Sequence, residues 1–208
     1  MRLYNMDFSK LSRFERVNFL KEYGINTAVY SLLPRDSLNE VIEEVLRLYG
    51  KISYRCQSPT GGLDFGYPRA IGLNHDQAYR DIVNHVTHYD VMVAETIDIE
   101  YVTYNGNIAF CDNEIIVEVL YGSGTLDKLT REGHIDQRWQ VKRNDFREIG
   151  LPEVRKTIKD LFRFPFTDIV VECSFFCKPV GNFGQSYIAW EVTNWGGRSK
   201  YPTNNLFS

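Results

Sequence analysis

Apolar residues recur at helical spacing between residues 9 and 23, where Leu11, Phe14, Val17, Leu20 and Tyr23 share one face and Gly24 supplies a stop. After an extended piece from Ile25 to Leu33, a second helix is predicted over Val41, Ile42, Val45, Leu46 and Tyr49. Ser37-Leu-Asn-Glu40 has the spacing of a capping box at its start, and Gly50 ends it. Lys51 to Arg55 reads as a brief strand. Ser58 to Pro68 holds too many glycines and prolines for anything but a loop, whose amides are free to approach a ligand. A third helix is expected from Asn74 or His75 to His88, and Tyr89 to Ile97 alternates as a strand does.

The second half of the chain is strand-rich. Asn105-Gly106, between Tyr101-Val-Thr-Tyr104 and Ile108-Ala-Phe110, has the signature of a type I′ hairpin turn, and Asp112-Asn113 turns into Glu114 to Leu120. Residues 121–135 form a polar loop punctuated by glycine, followed by a strand near Arg138–Val141 and a helix from Pro152 to Phe162. Asp168 to Phe176 and Gln185 to Val192 close the chain as an antiparallel pair. The class is therefore α+β, with two small lobes, antiparallel sheets and flanking helices, and the antiparallel meander weighs against a parallel doubly wound sheet. The expected division is an N-terminal lobe over residues 1–88, carrying the glycine-rich loop, and a C-terminal sheet lobe over 89–208. One compact unit is the alternative.

Composition narrows the function more than the fold. A chain of 208 residues with 43% hydrophobic and 25% charged residues is neither disordered nor fibrous. A net charge of −3 gives no basic footprint for duplex nucleic acid, which is not the expected partner. The start, MRLYNMDFSKLSRFER, lacks an apolar signal segment, and no run long enough to span a membrane follows, so the expectation is a cytoplasmic protein with no membrane partner. Cys56, Cys111, Cys173 and Cys177 have no zinc-type spacing and read as reduced core thiols. His85 and His88 read as a solvated helix face.

Candidate chemistry begins with three carboxylates inside apolar strands: Glu118 in Ile-Ile-Val-Glu-Val, Glu172 in Ile-Val-Val-Glu-Cys and Glu191 in Ile-Ala-Trp-Glu-Val. A buried carboxylate requires a cation, a basic partner or a proton. Exposure by strand alternation is the bland reading for any one of them. Glu172 and Glu191 become neighbours if the last two strands pair, and hard oxygen ligands of that kind suit Mg²⁺ held together with phosphates.

The order of these pieces resembles the ATP-grasp nucleotide-binding fold, and in particular the nucleotide-binding half of phosphoenolpyruvate synthase and pyruvate phosphate dikinase. The residues carrying the resemblance are Arg55 before the loop with Thr60-Gly61-Gly62, the strand Val91-Met-Val-Ala-Glu95, and Val117-Glu118-Val-Leu-Tyr-Gly122-Ser-Gly124. Thr130-Arg131-Glu-Gly133-His-Ile-Asp136 and the final strands extend it over residues 10–195. The resemblance implies ATP and Mg²⁺ as cofactors. It implies Arg55, Arg131 and Glu118 as catalytic residues, Lys10, Arg55, Gly61, Gly62 and Glu95 as nucleotide-binding, and Glu172 and Glu191 as metal ligands. Lys21 is a second candidate for the phosphate-binding lysine, Glu95 is expected at the adenine or ribose hinge, and Thr60 to Tyr67 is expected as a lid. The implied activity is an Mg-dependent phosphotransferase or ligase acting on a small acceptor, with a partner protein carrying any missing domain. The alternatives are a nucleotide-binding or interaction module without turnover, to which the closing Glu191-Val-Thr193 points, and an unrelated α+β protein.

Overall fold

The computed structural model describes residues 6–28, 30–58, 67–95, 101–180 and 185–195, and of residues 30, 35, 95, 131, 177–180 and 185 only the backbone. The chain divides into two compact units, one of Ser9–Phe19 with Thr27–Ile97, the other of Met1–Phe8, Leu20–Asn26 and Asp98–Ser208.

The helix expected near the start is α1, Arg13–Glu22. Its N-terminus is a capping box that the hydrophobic pattern did not reveal: Glu15 N–H donates to Ser12 Oγ at 3.3 Å and Ser12 N–H donates to the Glu15 carboxylate at 2.7 Å. β1 (Tyr30–Leu32) leads to α2 (Leu38–Tyr49), which ends at Gly50 in the left-handed region, φ 73°. The capping box expected at Ser37 does not form. Arg35–Ser37 winds as a 3-10 turn directly into α2, leaving Ser37 at φ −132°, ψ 32° rather than in the extended conformation that aims an N-cap side chain. β2 (Ile52–Gln57) and β3 (Arg69–Leu73) follow, then α3 (His75–Val86), whose reciprocal cap pairs Asn74 with Gln77, and β4 (Asp90–Glu95). The sheet order is β1-β4-β2-β3, antiparallel throughout. Ile42 of α2 and Ala78 and Ile82 of α3 bury against Ile52, Tyr54, Cys56, Val91 and Val93 of the sheet.

The second unit holds β5 (Val102–Phe110), β6 (Glu114–Tyr121), β7 (Gln137–Lys142), α4 (Pro152–Leu161), β8 (Ile169–Val180) and β9 (Gln185–Asn194). The strands form an antiparallel sheet in the order β7-β6-β5-β8-β9. Asn105-Gly106 is not a turn: both residues lie in the middle of β5, the central strand. Glycine at 106 permits close approach, since a Cβ there would crowd the Phe175 ring at 3.0 Å and the Glu118 carbonyl oxygen at 3.2 Å. The chain reverses instead after Cys111, at Asp112-Asn113.

Strand alternation gives this sheet two unlike faces. Tyr104, Ile108, Phe110, Val117, Val171, Phe175, Tyr187 and Val192 fall on one. α4 lies against it, because Tyr104 OH donates to Glu153 at 3.1 Å, Tyr187 OH donates to Asp160 at 3.1 Å, and the Phe110 and Phe162 rings meet edge to face. Burial of each large aliphatic side chain under the helix contributes about 1.5–3 kcal/mol. Among the described residues no helix is long and apolar enough to cross a membrane.

Candidate functional site

The face of the second sheet away from α4 carries one polar row that crosses all five strands. Arg138 pairs with Glu118, Glu118 with Asn107, Asn107 with Glu172, and Glu172 with Glu191, each directly opposite the next. Direct antiparallel partners project from the same side, with Cβ atoms about 4.5–5.5 Å apart. The glutamates of the last two strands are therefore brought together, as expected from sequence. The row is also sunken: Glu118 is 3% exposed, Asn107 7% and Glu191 8%, while Glu172 is half-buried. Solvent exposure by alternation is ruled out for Glu118 and Glu191.

Electrostatics along the row run from a cation to a pair of like charges. Arg138 Nη1 stands 3.7 Å from Glu118 Oε1, and the Asn107 amide hydrogen-bonds to the same carboxylate. Burial nevertheless holds the Glu118 carboxyl above its ordinary pKa, because the arginine and the amide offset only part of the lost solvation. Glu118 Oε1 and Asn107 Oδ1 are both buried without a hydrogen-bond partner. Asn107 and Arg138 escaped the sequence reading. The signal for Asn107 was a second polar residue two positions from Asn105, which is the spacing of one strand face rather than of a turn.

A β-bulge sits at the end of the row. Glu172 faces Glu191 but Cys173 faces Ala189, so Trp190 and Glu191 together span one partner position. The extra residue turns Trp190 to the polar side, where its indole N–H donates to Ser174 Oγ at 2.7 Å. Ser174 in turn donates to Asn105 Oδ1 at 2.5 Å, and the Asn105 amide donates to Thr125 Oγ1 at 2.9 Å and to the Gly122 carbonyl at 3.3 Å. This buried chain of hydrogen bonds fastens the Gly122–Thr125 turn over one end of the polar face. Gly122 and Gly124 have φ of 104° and 68°, conformations open mainly to glycine. Arg131 lies a few residues on, in the helical turn Lys128–Glu132, with only its backbone described.

The remaining sequence candidates belong elsewhere in the chain. Arg55 is half-buried on β2, opposite Met92 and Arg69, and Lys10, itself exposed, ends the 3-10 turn Phe8–Lys10. Glu95 is the last residue of β4, opposite Ile52, with its backbone alone described. Gly61, Gly62 and the proposed lid, apart from Tyr67, lie outside the described residues. Cys56 and Cys173 are buried free thiols whose pKa burial pushes up, to about 11 for Cys56, which makes them inert core residues. Among the described residues no group of three or more His, Cys, Asp and Glu side chains converges. The carboxylate cluster is thus a pair, Glu172 with Glu191, and Glu118 stands apart across the intervening strand.

No family model and no curated protein sequence matches the chain. Solved structures do. It is similar to a RimK-domain ATP-grasp protein from Sphaerobacter thermophilus, with 12% identity and a TM-score of 0.55 over 90% of this chain and 59% of that one. The fold is the ATP-grasp fold. N5-carboxyaminoimidazole synthase from Aspergillus clavatus, solved with ADP and 5-aminoimidazole ribonucleotide, is similar at 10% identity and a TM-score of 0.52, covering 89% of this chain and 44% of that one. D-alanine–D-alanine ligase from Bacillus anthracis complexed with ATP gives 13% identity and a TM-score of 0.50, covering 90% and 56%. This ATP-grasp chain therefore spans about half the length of those enzymes. The third sequence alternative, an unrelated α+β fold, is set aside.

Proposed function

We propose that this chain binds Mg-ATP and transfers its phosphate to a small acceptor, either as a phosphotransferase or through an acyl phosphate as a ligase. The observation that carries the reading is the direct opposition of Glu172 and Glu191 on the polar face of an ATP-grasp sheet. Two carboxylates facing each other across a strand pair repel, and a divalent cation shared between them converts that repulsion into binding. The residues fit such an ion: both ligands are hard oxygens, and the neighbouring Asn107 Oδ1 is a buried acceptor without a donor. Bound Mg²⁺ would supply charge neutralisation on the phosphate oxygens.

The rest of the assignment follows the sequence resemblance. Arg55, Arg131 and Lys10 supply positive charge to the phosphates, Gly61 and Gly62 supply backbone amides, and Glu95 takes the adenine or ribose end. Glu118, held by Arg138 and Asn107, orders the polar face beside the reacting phosphate. Phosphoryl transfer asks a protein for positioning and electrostatic stabilisation rather than for a covalent partner, so this set is chemically sufficient. The named neighbours include a synthase and a ligase, which favours the ligase branch, and the acceptor arrives with a second domain or partner protein.

A nucleotide-binding module without turnover is the second reading, favoured by the closing Glu191-Val-Thr193. Thermal unfolding with ATP, ADP and AMP, each with and without Mg²⁺, tests the binding claim. A ligand at 100 times its dissociation constant stabilises by about 2.7 kcal/mol. A midpoint that rises with Mg-ATP and much less with ATP alone is expected, and no rise with Mg-ATP overturns the proposal. ADP release in the presence of candidate acceptors then separates enzyme from module.

A further inference from the structure

Asn107 occupies an unusual place: the central strand of the sheet, between two glutamates on the two flanking strands, and 7% exposed. Its amide hydrogen-bonds to Glu118 on one side. A carboxylate only accepts, so the nitrogen must be the atom facing Glu118. Oδ1 is left over, buried and without a hydrogen-bond partner, on a residue whose other cross-strand neighbour is Glu172 on β8. Three acceptor oxygens from three consecutive strands, those of Asn107, Glu172 and Glu191, thus face one region of the polar side. A buried amide oxygen without a donor costs about 1–3 kcal/mol. A cation meets that need.

Building on the cation reading of the Glu172–Glu191 pair, we infer that Asn107 is a third oxygen ligand of the same divalent ion and that Glu118 sets its orientation by holding the amide nitrogen. Arg138, 3.7 Å from Glu118, balances the charge of the orienting carboxylate. The row therefore reads from Arg138 to Glu191 as counter-ion, orienting group, neutral ligand and two charged ligands. A neutral ligand beside two carboxylates leaves the bound ion with little net charge to spare for a third anion of the protein, so its remaining positions are open to water and phosphate oxygens.

Mn²⁺ titrations followed by electron paramagnetic resonance, with the metal alone and with ATP, test this on the intact chain. Wild type, E172Q, E191Q, N107A and N107D are compared at a temperature where circular dichroism shows each folded. Loss of Mn²⁺ binding in E172Q and E191Q, with about tenfold weaker binding in N107A and binding at least as tight as wild type in N107D, supports the assignment. Mn²⁺ should raise the unfolding midpoint of N107D at least as much as that of wild type and raise that of N107A less, an ordering that a packing role for Asn107 does not produce. If the glutamine variants lose Mn²⁺ while N107A and N107D bind as wild type does, Asn107 is not a ligand and the glutamate pair stands alone. If E172Q and E191Q bind Mn²⁺ unchanged, or wild type binds none, the cation pair itself is wrong and the inference falls with it.

Discussion

The two faces of the five-stranded sheet are built from alternate residues of the same strands. Asn107, Glu118, Glu172 and Glu191 form the polar row, and Ile108, Val117, Val171 and Val192, their immediate chain neighbours, form a row of fully buried aliphatics on the reverse. One face is closed by α4 and holds the unit together. The other keeps two opposed carboxylates and, at Asn107, Glu118 and Thr193, buried polar atoms without a hydrogen-bond partner. The polar face is not without a core of its own, since Ala109, Ile116 and Val170 bury beside the row with Trp195 packed on them, but the charged and amide side chains are confined to that face by a backbone that fixes both registers at once.

Damage to the apolar face should give the largest change in stability. Ile158→Ala on α4, at a fully buried site, is expected to cost about 2–5 kcal/mol in urea unfolding while leaving Mg-ATP affinity unchanged in the folded protein. A matching loss of affinity would erase the separation between the faces. Next comes the hydrogen-bonded chain on the polar face. Asn105→Ala leaves the buried Ser174 hydroxyl without its acceptor and removes the amide bonds to Thr125 and Gly122, which keep their bond to each other, a loss of about 1–3 kcal/mol, with faster amide exchange from Gly122 to Gly133. Unaltered exchange there would show that the turn is held by something else.

Glu172→Gln sharpens the comparison in the opposite sense. Nucleotide affinity in Mg²⁺ should fall about tenfold, or about 1.4 kcal/mol, whereas stability without metal should hold. A variant that loses stability and keeps affinity would make Glu172 a structural residue. The smallest effect lies away from both faces, on the exposed surface where α3 meets α2. His75 Nε2 and Glu43 Oε1 are 2.8 Å apart, and Nδ1 is 3.3 Å from Asp76. Glu43 and Asp76 raise the pKa of His75, and the hydrogen bond from His75 lowers that of Glu43. The raised histidine pKa gives stability that is complete below the unfolded value and lost as pH rises through the folded one. The lowered Glu43 pKa gives stability present above its unfolded value and lost in acid. His75→Gln should therefore lower the unfolding midpoint slightly near pH 5.5 and have no effect by pH 8.5, with nucleotide binding untouched at both.

Local patterns with short reach were legible in the sequence. Helical spacing located α1, α2 and α4, and glycine stops at Gly24 and Gly50 correspond to left-handed residues with φ of 72° and 73°. β3 was missed because an edge strand with exposed Arg69 and Ile71 has no buried alternation to show. The Asn105-Gly106 error has a different origin. The dipeptide is favoured in turns because both residues tolerate positive φ, but here glycine answers the Phe175 ring across the sheet and asparagine answers Ser174 and Thr125, contacts set by pairings 69 and 20 residues away. The same distance effect explains the site. Charge inside apolar strands marked Glu118, Glu172 and Glu191, whereas Asn107 and Arg138 become notable only once register places them in the same row.

The bulge that turns Trp190 toward the polar face gives the protein an optical handle. The indole is hydrogen-bonded, partly exposed and next in sequence to a proposed metal ligand, while Trp139 is paired opposite Val117 and projects to the α4 side. Emission from Trp190 should shift or quench when an ion or phosphate occupies the row, and a Trp190→Phe variant should subtract that signal. Paramagnetic Mn²⁺ would quench it more than diamagnetic Mg²⁺, so the difference in brightness between the two metals becomes a ruler for how near the ion sits to β9.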